Sequence, residues 1–284
     1  MRARAIKDMS QLNDSDFFKE VSEGLNLIMD HCSHIEADAR YLTEHKRACG
    51  SNILKAFLKE EAAKFLILLD AVRCPRGPSE RFTKQLARFN EHLAKGIYAS
   101  VYDSKPTDFG EVRRIVQMEC PEYYLDGPNA VDWILRNEIL QRREESFYVD
   151  YIENDGSHMW LTPGRFYHPE LISSFYYSLQ GLEVANALTI AGFNDPDALS
   201  VVARRWRTIL MEHDFSWHQL REINLNTLKD LEEEGLLKET PEPLCQKIVD
   251  GWLFPMYDLD ISMVRINKTD LEKTRKRRIA EMFY

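Results

Sequence analysis

The sequence predicts an all-α protein that carries one short β-hairpin and an additional C-terminal helical region. Its 284 residues include only 12 glycines and 11 prolines, and these fall at a few places, so long stretches are free to be helical. Within those stretches apolar residues recur at the spacing of an amphipathic helix. Between residues 147 and 163 the pattern changes to two short β-prone runs around Asp155-Gly156, which is typical of a hairpin that ends at Pro163.

The N-terminal half is predicted to be a series of helices separated by clear breakers. The first helix begins after a Ser15 cap, and the helical pattern continues to Val72 with a break or a close helix contact near Gly50. Two further helices each follow a turn that contains Gly and Pro: 81–102 after CPRGPSE (74–80), and 130–146 after DGPN (126–129).

Residues 166–284 are predicted to form a C-terminal helical region that follows a helical bundle at 1–165. Asp195-Pro196 is a cap followed by Pro at the first helical position, and Ser216 opens another helix. Thr269 with Glu272 has the spacing of a capping box. The helices predicted in this region are 169–192, 196–210, 217–237, 241–254 and a final basic helix after Thr269.

The composition and charge of the chain argue against a membrane-spanning protein and a secreted protein. No apolar run approaches the length of a transmembrane helix, and the first residues lack the apolar core of a signal peptide. The five cysteines are scattered without a CxxC pair, which is typical of reduced thiols. A cytoplasmic protein without a membrane segment is therefore expected. The net charge of −9 argues against broad nucleic-acid coating but leaves room for a local basic groove.

Several common enzyme classes lack their motifs in this chain. There is no P-loop, no GxSxG and no GxGxxG before a helix, which argues against P-loop NTPases, α/β-hydrolases and Rossmann enzymes. The histidines and cysteines also lack the spacing of a zinc site. Neither a metal nor another cofactor is expected.

Two adjacent glutamates and a lysine interrupt the apolar helix FLKEEAAKFLILL (57–69). Glu61 lies at helical spacing from the apolar residues around it, so it falls on the buried face, and Glu60 and Lys64 flank it. A buried carboxylate must find partners or shift its pKa. Three interpretations stay open: a structural Glu–Lys pair, a helix rotated slightly so that water reaches Glu61, or a polar site built inside a helical bundle.

A basic edge is predicted on the following helix. His92 and Lys95 lie three residues apart, and Arg88 lies one turn before His92. If the short turn at 74–80 folds the two helices into an antiparallel hairpin, these cations can pair with Glu60 and Glu61. Such a cluster fits proton transfer or phosphate binding, although a solvated helix face explains the spacing as well.

A second polar group precedes the hairpin in RREESFYVD. Arg142, Arg143, Tyr148 and Asp150 combine two guanidinium groups, a phenol and a carboxylate at a predicted helix end. They are candidates to bind a phosphate and move a proton. The alternative is that the arginines simply offset the negative end of the helix dipole.

Three motifs occur in order along residues 20–165: EExxK, HxxK, and YVD followed by W-x-x-P. Their residues are Glu60, Glu61 and Lys64; His92 and Lys95; Tyr148, Val149 and Asp150; and Trp160 and Pro163. In this order and spacing they resemble the AbiV family of bacterial abortive-infection proteins. That family is in turn similar to the HEPN superfamily of helical bundles, many of which are RNA-cutting toxins.

The resemblance implies a HEPN-like bundle over 1–165 and an anti-phage role, with a metal-independent ribonuclease activity that shuts down translation. His92 or Tyr148 would then move protons, and Arg88, Lys95 and Arg143 would hold phosphate. Glu60, Glu61 and Lys64 would organise the site, with Arg142 and Asp150 beside it. Such proteins often build one cleft from two copies, so a homodimer is expected, with RNA and a phage or host protein as partners.

The chain also departs from the HEPN ribonuclease pattern, in which about four to six residues separate an arginine from a histidine. Three residues separate Arg88 from His92, and four separate Arg143 from Tyr148, where tyrosine replaces histidine. A second hypothesis is therefore kept: a non-enzymatic helical sensor or inhibitor that binds a phage or host protein, with EExxK purely structural.

Overall fold

Two long antiparallel helices form the framework of the molecule. The computed structural model describes residues 5–77, 80–124, 135–154, 157–163, 178–209, 211 and 215–282. The first long helix, α1 (Asp14–Glu44), begins at Asn13, whose side chain accepts a hydrogen bond from Asp16 N–H at 3.0 Å, so the cap lies two residues before the predicted Ser15. The second, α2 (Ala48–Arg73), follows residues 45–47.

α2 is the central helix, because almost every residue from Ala62 to Arg73 is buried. The turn that precedes it brings the hydroxyls of Thr43 and Ser51 within 2.6 Å. The close contact predicted near Gly50 is present, since an added Cβ there would lie 3.1 Å from Leu42 Cδ1. The break itself falls earlier, at residues 45–47.

The single helix predicted over 81–102 is wrong, because the chain is divided there into two helices. α3 (Arg81–Ala87) passes into a short 3-10 turn (Arg88–Asn90), Glu91 is extended, and α4 (His92–Ser104) starts afresh. The turn reorients the chain, so residues before and after it no longer share one helical face.

The next segment mixes short helices with two pairs of strands. It contains α5 (Phe109–Glu119), β1 (Glu122–Tyr124), β2 (Leu135–Asn137), α6 (Glu138–Phe147), β3 (Asp150–Asn154) and β4 (Ser157–Leu161). β1 pairs antiparallel with β2, and β3 with β4. The predicted hairpin is confirmed, and its turn at Asp155-Gly156 lies outside the described residues. The helix predicted over 130–146 is wrong at 135–137, which pair as a strand, and 130–134 lie outside the described residues.

The C-terminal region is helical, as predicted. Its described helices are α7 (Gln180–Ile190), α8 (Pro196–Trp206), α9 (Trp217–Glu233), α10 (Glu242–Gly251) and α11 (Lys268–Met282). The caps at Asp195 and Ser216 are confirmed, whereas α11 opens with the Asn267 side chain accepting Thr269 N–H at 3.0 Å. Residues 169–177 and Leu210 of the predicted helices lie outside the described residues. None of the described helices is both long and apolar enough to cross a bilayer.

One hydrophobic core joins the two regions on either side of position 165. α7 and α8 pack on α2, and α8 also packs on α1. The apolar side chains of residues 252–261 enter the same core. The C-terminal region therefore packs as part of the bundle. The predicted mostly helical class is confirmed.

A buried carboxylate lies where these parts meet. Asp70 accepts hydrogen bonds from the Arg73 guanidinium, from Tyr98 Oη at 2.7 Å and from Met256 N–H at 2.8 Å. Arg73 also donates to the Leu253 carbonyl at 2.9 Å. Its guanidinium lies 4.5 Å from the ring centroids of both Trp206 and Trp252. Burial and the neighbouring charge of Asp70 raise the pKa of Tyr98 well above its ordinary value, so its hydroxyl stays a donor.

Gln85 and Arg88 extend this buried network. Gln85 Nε2 donates to Tyr98 Oη and to the Ile67 carbonyl, both at 2.9 Å. Arg88 donates to Gln85 Oε1 at 2.6 Å, to the Met256 carbonyl at 2.8 Å and to the Leu259 carbonyl. The network therefore ties α2, α3, α4 and residues 253–259 together through hydrogen bonds that water does not reach.

We expect Asp70→Ala to lower the free energy of unfolding by about 3–5 kcal/mol, because it leaves the Arg73 charge buried without its partner. Urea unfolding would measure the loss. Asp30→Ala is the matched control, since Asp30 is an exposed aspartate that pairs with His34 at 3.8 Å, and its loss should change stability by no more than about 0.5 kcal/mol. Equal effects of the two substitutions would contradict the role given to Asp70.

Candidate functional site

Three basic side chains from two helices meet one carboxylate on α2. Glu60 Oε2 accepts from Lys95 Nζ at 2.7 Å and bonds with His92 Nδ1 at 2.9 Å. Its other oxygen, Oε1, accepts from Arg143 Nε at 2.8 Å. We call these four residues the Glu60 cluster. Glu60 belongs to α2, His92 and Lys95 belong to α4, and Arg143 belongs to α6.

The Glu60 cluster has a buried floor and an open rim. The Lys95 side chain is only 6% exposed, so it is committed to Glu60. The His92 side chain is 44% exposed and that of Arg143 is 28% exposed, so a molecule in solution can reach both. Glu60 itself is mostly buried. The groups of the cluster that a ligand can reach are therefore the imidazole of His92 and the guanidinium of Arg143.

The start of α4 places two of these side chains. Because Glu91 is extended, His92 becomes the first residue of α4, and Lys95 follows almost one turn later on the same side. Both then face Glu60 across the contact between α2 and α4.

Three contacts hold α6 against α5, α4 and α2, and they place Arg143 next to Glu60. Asn137 caps α6 by accepting from Leu140 N–H, and its amide donates to the Glu119 carbonyl at 2.7 Å. Ile139 packs directly on Gly96, where an added Cβ would overlap its Cγ2 atom. Further along α6, Phe147 stacks on Phe57 with ring centroids 5.0 Å apart.

The surroundings keep Glu60 ionised. Burial by itself raises the pKa of this carboxyl. The hydrogen bond and charge of Lys95 and those of His92 outweigh burial and lower the pKa below its ordinary value of 4.5. A carboxylate is therefore present at neutral pH. Lys95 and Arg143 together carry more positive charge than Glu60 carries negative charge.

This arrangement can orient an imidazole and bind an anion. A carboxylate that accepts the Nδ1 proton of a histidine fixes its tautomer and leaves Nε2 as the nitrogen that can take a proton. Arg143 lies on the same carboxylate and presents a planar donor, which suits the oxygens of a phosphate group. An exposed proton acceptor beside a cation is the smallest set of groups that can catalyse the cleavage of a phosphodiester.

The EExxK motif divides between two sites. Glu60 is the centre of its cluster, whereas Glu61 pairs with Lys64 on the same helix. The ammonium group of Lys64 lies 5.4 Å from the Phe89 ring centroid. Glu61 and Lys64 are part-buried and make no contact with His92 among the described residues, so they form a neighbouring ion pair.

Other predicted site residues lie elsewhere. The continuous basic edge of Arg88, His92 and Lys95 does not form, because the 3-10 turn separates Arg88 from α4 and the core network uses its guanidinium. Arg142 pairs with Glu138 on the surface of α6. Tyr148 is exposed at the end of α6, and within the described part of the chain its hydroxyl makes no hydrogen bond. The side chain of Asp150 lies outside the described residues.

Gly96 and Ile139 were not predicted as contributors to this site. A glycine inside a helix costs stability and indicates a close approach when it is retained, so the G of HLAKG was an available signal. Ile139 gave no comparable signal in the sequence. Within the described residues, no group of three or more His, Cys, Asp or Glu is placed to hold a metal.

We expect Gly96→Ala to lower the free energy of unfolding by about 1–3 kcal/mol, because the new methyl group overlaps Ile139 and pushes α6 away. Thermal unfolding and amide hydrogen exchange along α6 would show the effect. Adding Ile139→Ala should restore protection of α6. Gly77→Ala is the control, since nothing lies within 4 Å of its added methyl group. Unchanged exchange in Gly96→Ala would refute this packing.

We expect the stabilisation from Glu60 to depend on pH. Its pKa is lower in the folded chain than in the unfolded chain, so the stabilisation is complete above about pH 4.5 and is lost as the pH falls through the folded-state value. The free energy of unfolding of Glu60→Gln should therefore lie below that of the wild type at pH 7 and approach it in acid. Glu23→Gln, at an exposed position of α1, should show no such gap. A gap that does not vary with pH would contradict the assignment.

Comparison with family models, with characterised proteins and with solved structures gave no match. The resemblance to the AbiV family thus stays a prediction carried by the motifs, and the function has to be argued from the geometry of the Glu60 cluster.

Proposed function

We propose that the protein is an AbiV-like, HEPN-type ribonuclease that acts in anti-phage defence and cleaves RNA at the Glu60 cluster. The observation that carries the proposal is the bond between His92 Nδ1 and Glu60, with Lys95 and Arg143 on the same carboxylate. The motif residues Glu60, His92 and Lys95 come together in space, which supports their having one shared role. The HEPN-like identity of the bundle belongs to the same proposal.

In the proposed reaction, His92 Nε2 takes the proton from a ribose 2′-hydroxyl. The 2′ oxygen attacks the adjacent phosphorus, the bond from phosphorus to the 5′ oxygen breaks, and the departing oxygen takes a proton from water. The products are a 2′,3′-cyclic phosphate and a 5′-hydroxyl end. Arg143 offsets the negative charge that develops on the phosphoryl oxygens. The hydroxide left by the water that protonated the 5′ oxygen takes the proton from His92, so the imidazole returns to its starting state.

The remaining groups support His92 and Arg143. Lys95 is buried and bound to Glu60, so it balances charge beneath the site instead of holding phosphate. Glu60 orients His92, and Glu61 and Lys64 stabilise the helix next to it. Arg88 and Arg142 have no role in the proposed reaction, because Arg88 is bound in the core network and Arg142 pairs with Glu138. A homodimer stays a prediction that derives from the family resemblance.

We expect His92→Ala to reduce RNA cleavage by about 10²- to 10⁴-fold, because it removes the group that accepts the proton. The assay uses purified protein, a single-stranded RNA with labelled ends, and analysis of the product ends. His34→Ala is the matched control, since His34 is an exposed histidine on α1 that pairs with Asp30 and lies outside the Glu60 cluster. Circular dichroism would establish that both variants are folded.

A modified RNA and a metal chelator test the proposed reaction directly. RNA that lacks 2′-hydroxyl groups should not be cleaved, because the proposed attacking oxygen is absent. Cleavage of normal RNA should persist in a metal chelator. If the wild-type protein leaves RNA intact both in this assay and in infected cells, the nuclease proposal fails.

A second candidate function is supported by the surface of the β3–β4 hairpin. Val149, Tyr151 and Trp160 are all largely exposed there, and exposed aromatic side chains are common in protein interfaces. A non-enzymatic sensor or inhibitor would use them to bind a phage or host protein. In that case His92→Ala would leave anti-phage protection intact, whereas the nuclease proposal requires its loss.

A further inference from the structure

An aromatic group borders the open rim of the Glu60 cluster. Phe57 lies one helical turn before Glu60 on α2, and it stacks on Phe147 of α6. Tyr148 follows directly, with its ring edge-on to Phe147 at a centroid distance of 6.2 Å. Phe57 is 42% exposed and Tyr148 is 61% exposed, whereas Phe147 between them is partly buried.

Arg143 links the aromatic group to the polar site. Its Nε atom donates to Glu60, while its guanidinium carbon lies 5.1 Å from the centroid of the Phe147 ring. One side chain thus contacts both the carboxylate that orients His92 and the aromatic rings. Cationic and aromatic surfaces are therefore continuous along α6.

This combination fits one class of ligand. A single strand of RNA presents phosphates and unstacked bases in alternation, and proteins bind it with cations for the phosphates and aromatic faces for the bases. Exposed Tyr and Arg side chains also occur in protein interfaces, so the feature that favours RNA is the position of the rings directly beside Arg143 and His92, where a base and its phosphate can bind together. The mixture of Arg143, His92 and exposed rings favours the nucleic acid.

We infer that Tyr148 and Phe57 form a base-stacking subsite, which holds a nucleobase of single-stranded RNA next to the phosphate bound by Arg143 and His92. The inference rests on the proposed function and adds the substrate class, single-stranded RNA with a base at the subsite. It also assigns Tyr148 a new role, since its ring binds the substrate and its hydroxyl is not required. Duplex RNA would bind poorly, because its bases are stacked on each other.

The test measures the binding of short, uncleavable 2′-O-methyl RNA by fluorescence anisotropy. We expect Tyr148→Leu to weaken the affinity for base-bearing RNA by about 5- to 150-fold, the range for one lost stacking contact. Tyr148→Phe keeps the ring and should bind like the wild type. Abasic RNA of the same length should bind the wild-type and Tyr148→Leu proteins equally. Tyr41→Leu is the control, since Tyr41 is an equally exposed tyrosine on α1.

The outcomes separate the two proposals. If the wild-type protein binds RNA but Tyr148→Leu binds it just as tightly, or if abasic RNA binds as well as base-bearing RNA, the stacking subsite is refuted and the nuclease proposal stands. A loss of affinity in Tyr148→Phe equal to that in Tyr148→Leu would also refute the subsite. If the wild-type protein neither binds nor cleaves RNA, both proposals fail together.

Discussion

The buried carboxylate of Asp70 is the constraint on which the rest of the structure depends. A buried carboxylate is costly unless hydrogen-bond donors compensate its charge. Arg73, Tyr98 and the Met256 amide are the donors here. Tyr98 belongs to α4, so this requirement helps to place the helix that begins with His92. The Met256 amide and the Leu253 carbonyl belong to the C-terminal segment, so the same requirement brings that segment into the bundle.

Two of the carboxylates on α2 have opposite functions. Asp70 is sealed among aromatic rings and backbone groups, which suits a group that organises the core. Glu60 lies almost three turns earlier, where its partners His92 and Arg143 are partly open to solution. A buried hydrogen-bond network fixes the position in which a helix packs, whereas a network that is open to solvent leaves its side chains available to bind a ligand. The same helix therefore provides both the structural centre and the candidate site.

The sequence predicted the long helices, the hairpin and the contact between EExxK and HxxK, because each depends on local periodicity or on a short turn. It could not predict that the chain breaks at Glu91, since the apolar stripe continues through that point and the Arg88 contacts that accompany the 3-10 turn are with Met256 and Leu259, far along the chain. It also placed both Glu60 and Glu61 among the basic side chains, whereas only Glu60 bonds with His92, Lys95 and Arg143 among the described residues, and Glu61 pairs with Lys64. The pairing of Arg143 with Glu60 spans 83 residues, and no local pattern can show such a contact.

The hydrogen bonds of Arg73 and Arg88 to the carbonyls of Leu253, Met256 and Leu259 have a consequence for the order of assembly. Translation proceeds from the N-terminus, so the helices that carry Glu60, His92 and Arg143 leave the ribosome well before residues 253–259. A nascent chain lacks those backbone partners until residues 253–259 have been synthesised, and its core network stays open until then. For a protein proposed to cut RNA, this order delays the finished site until well after the residues of the Glu60 cluster have been synthesised.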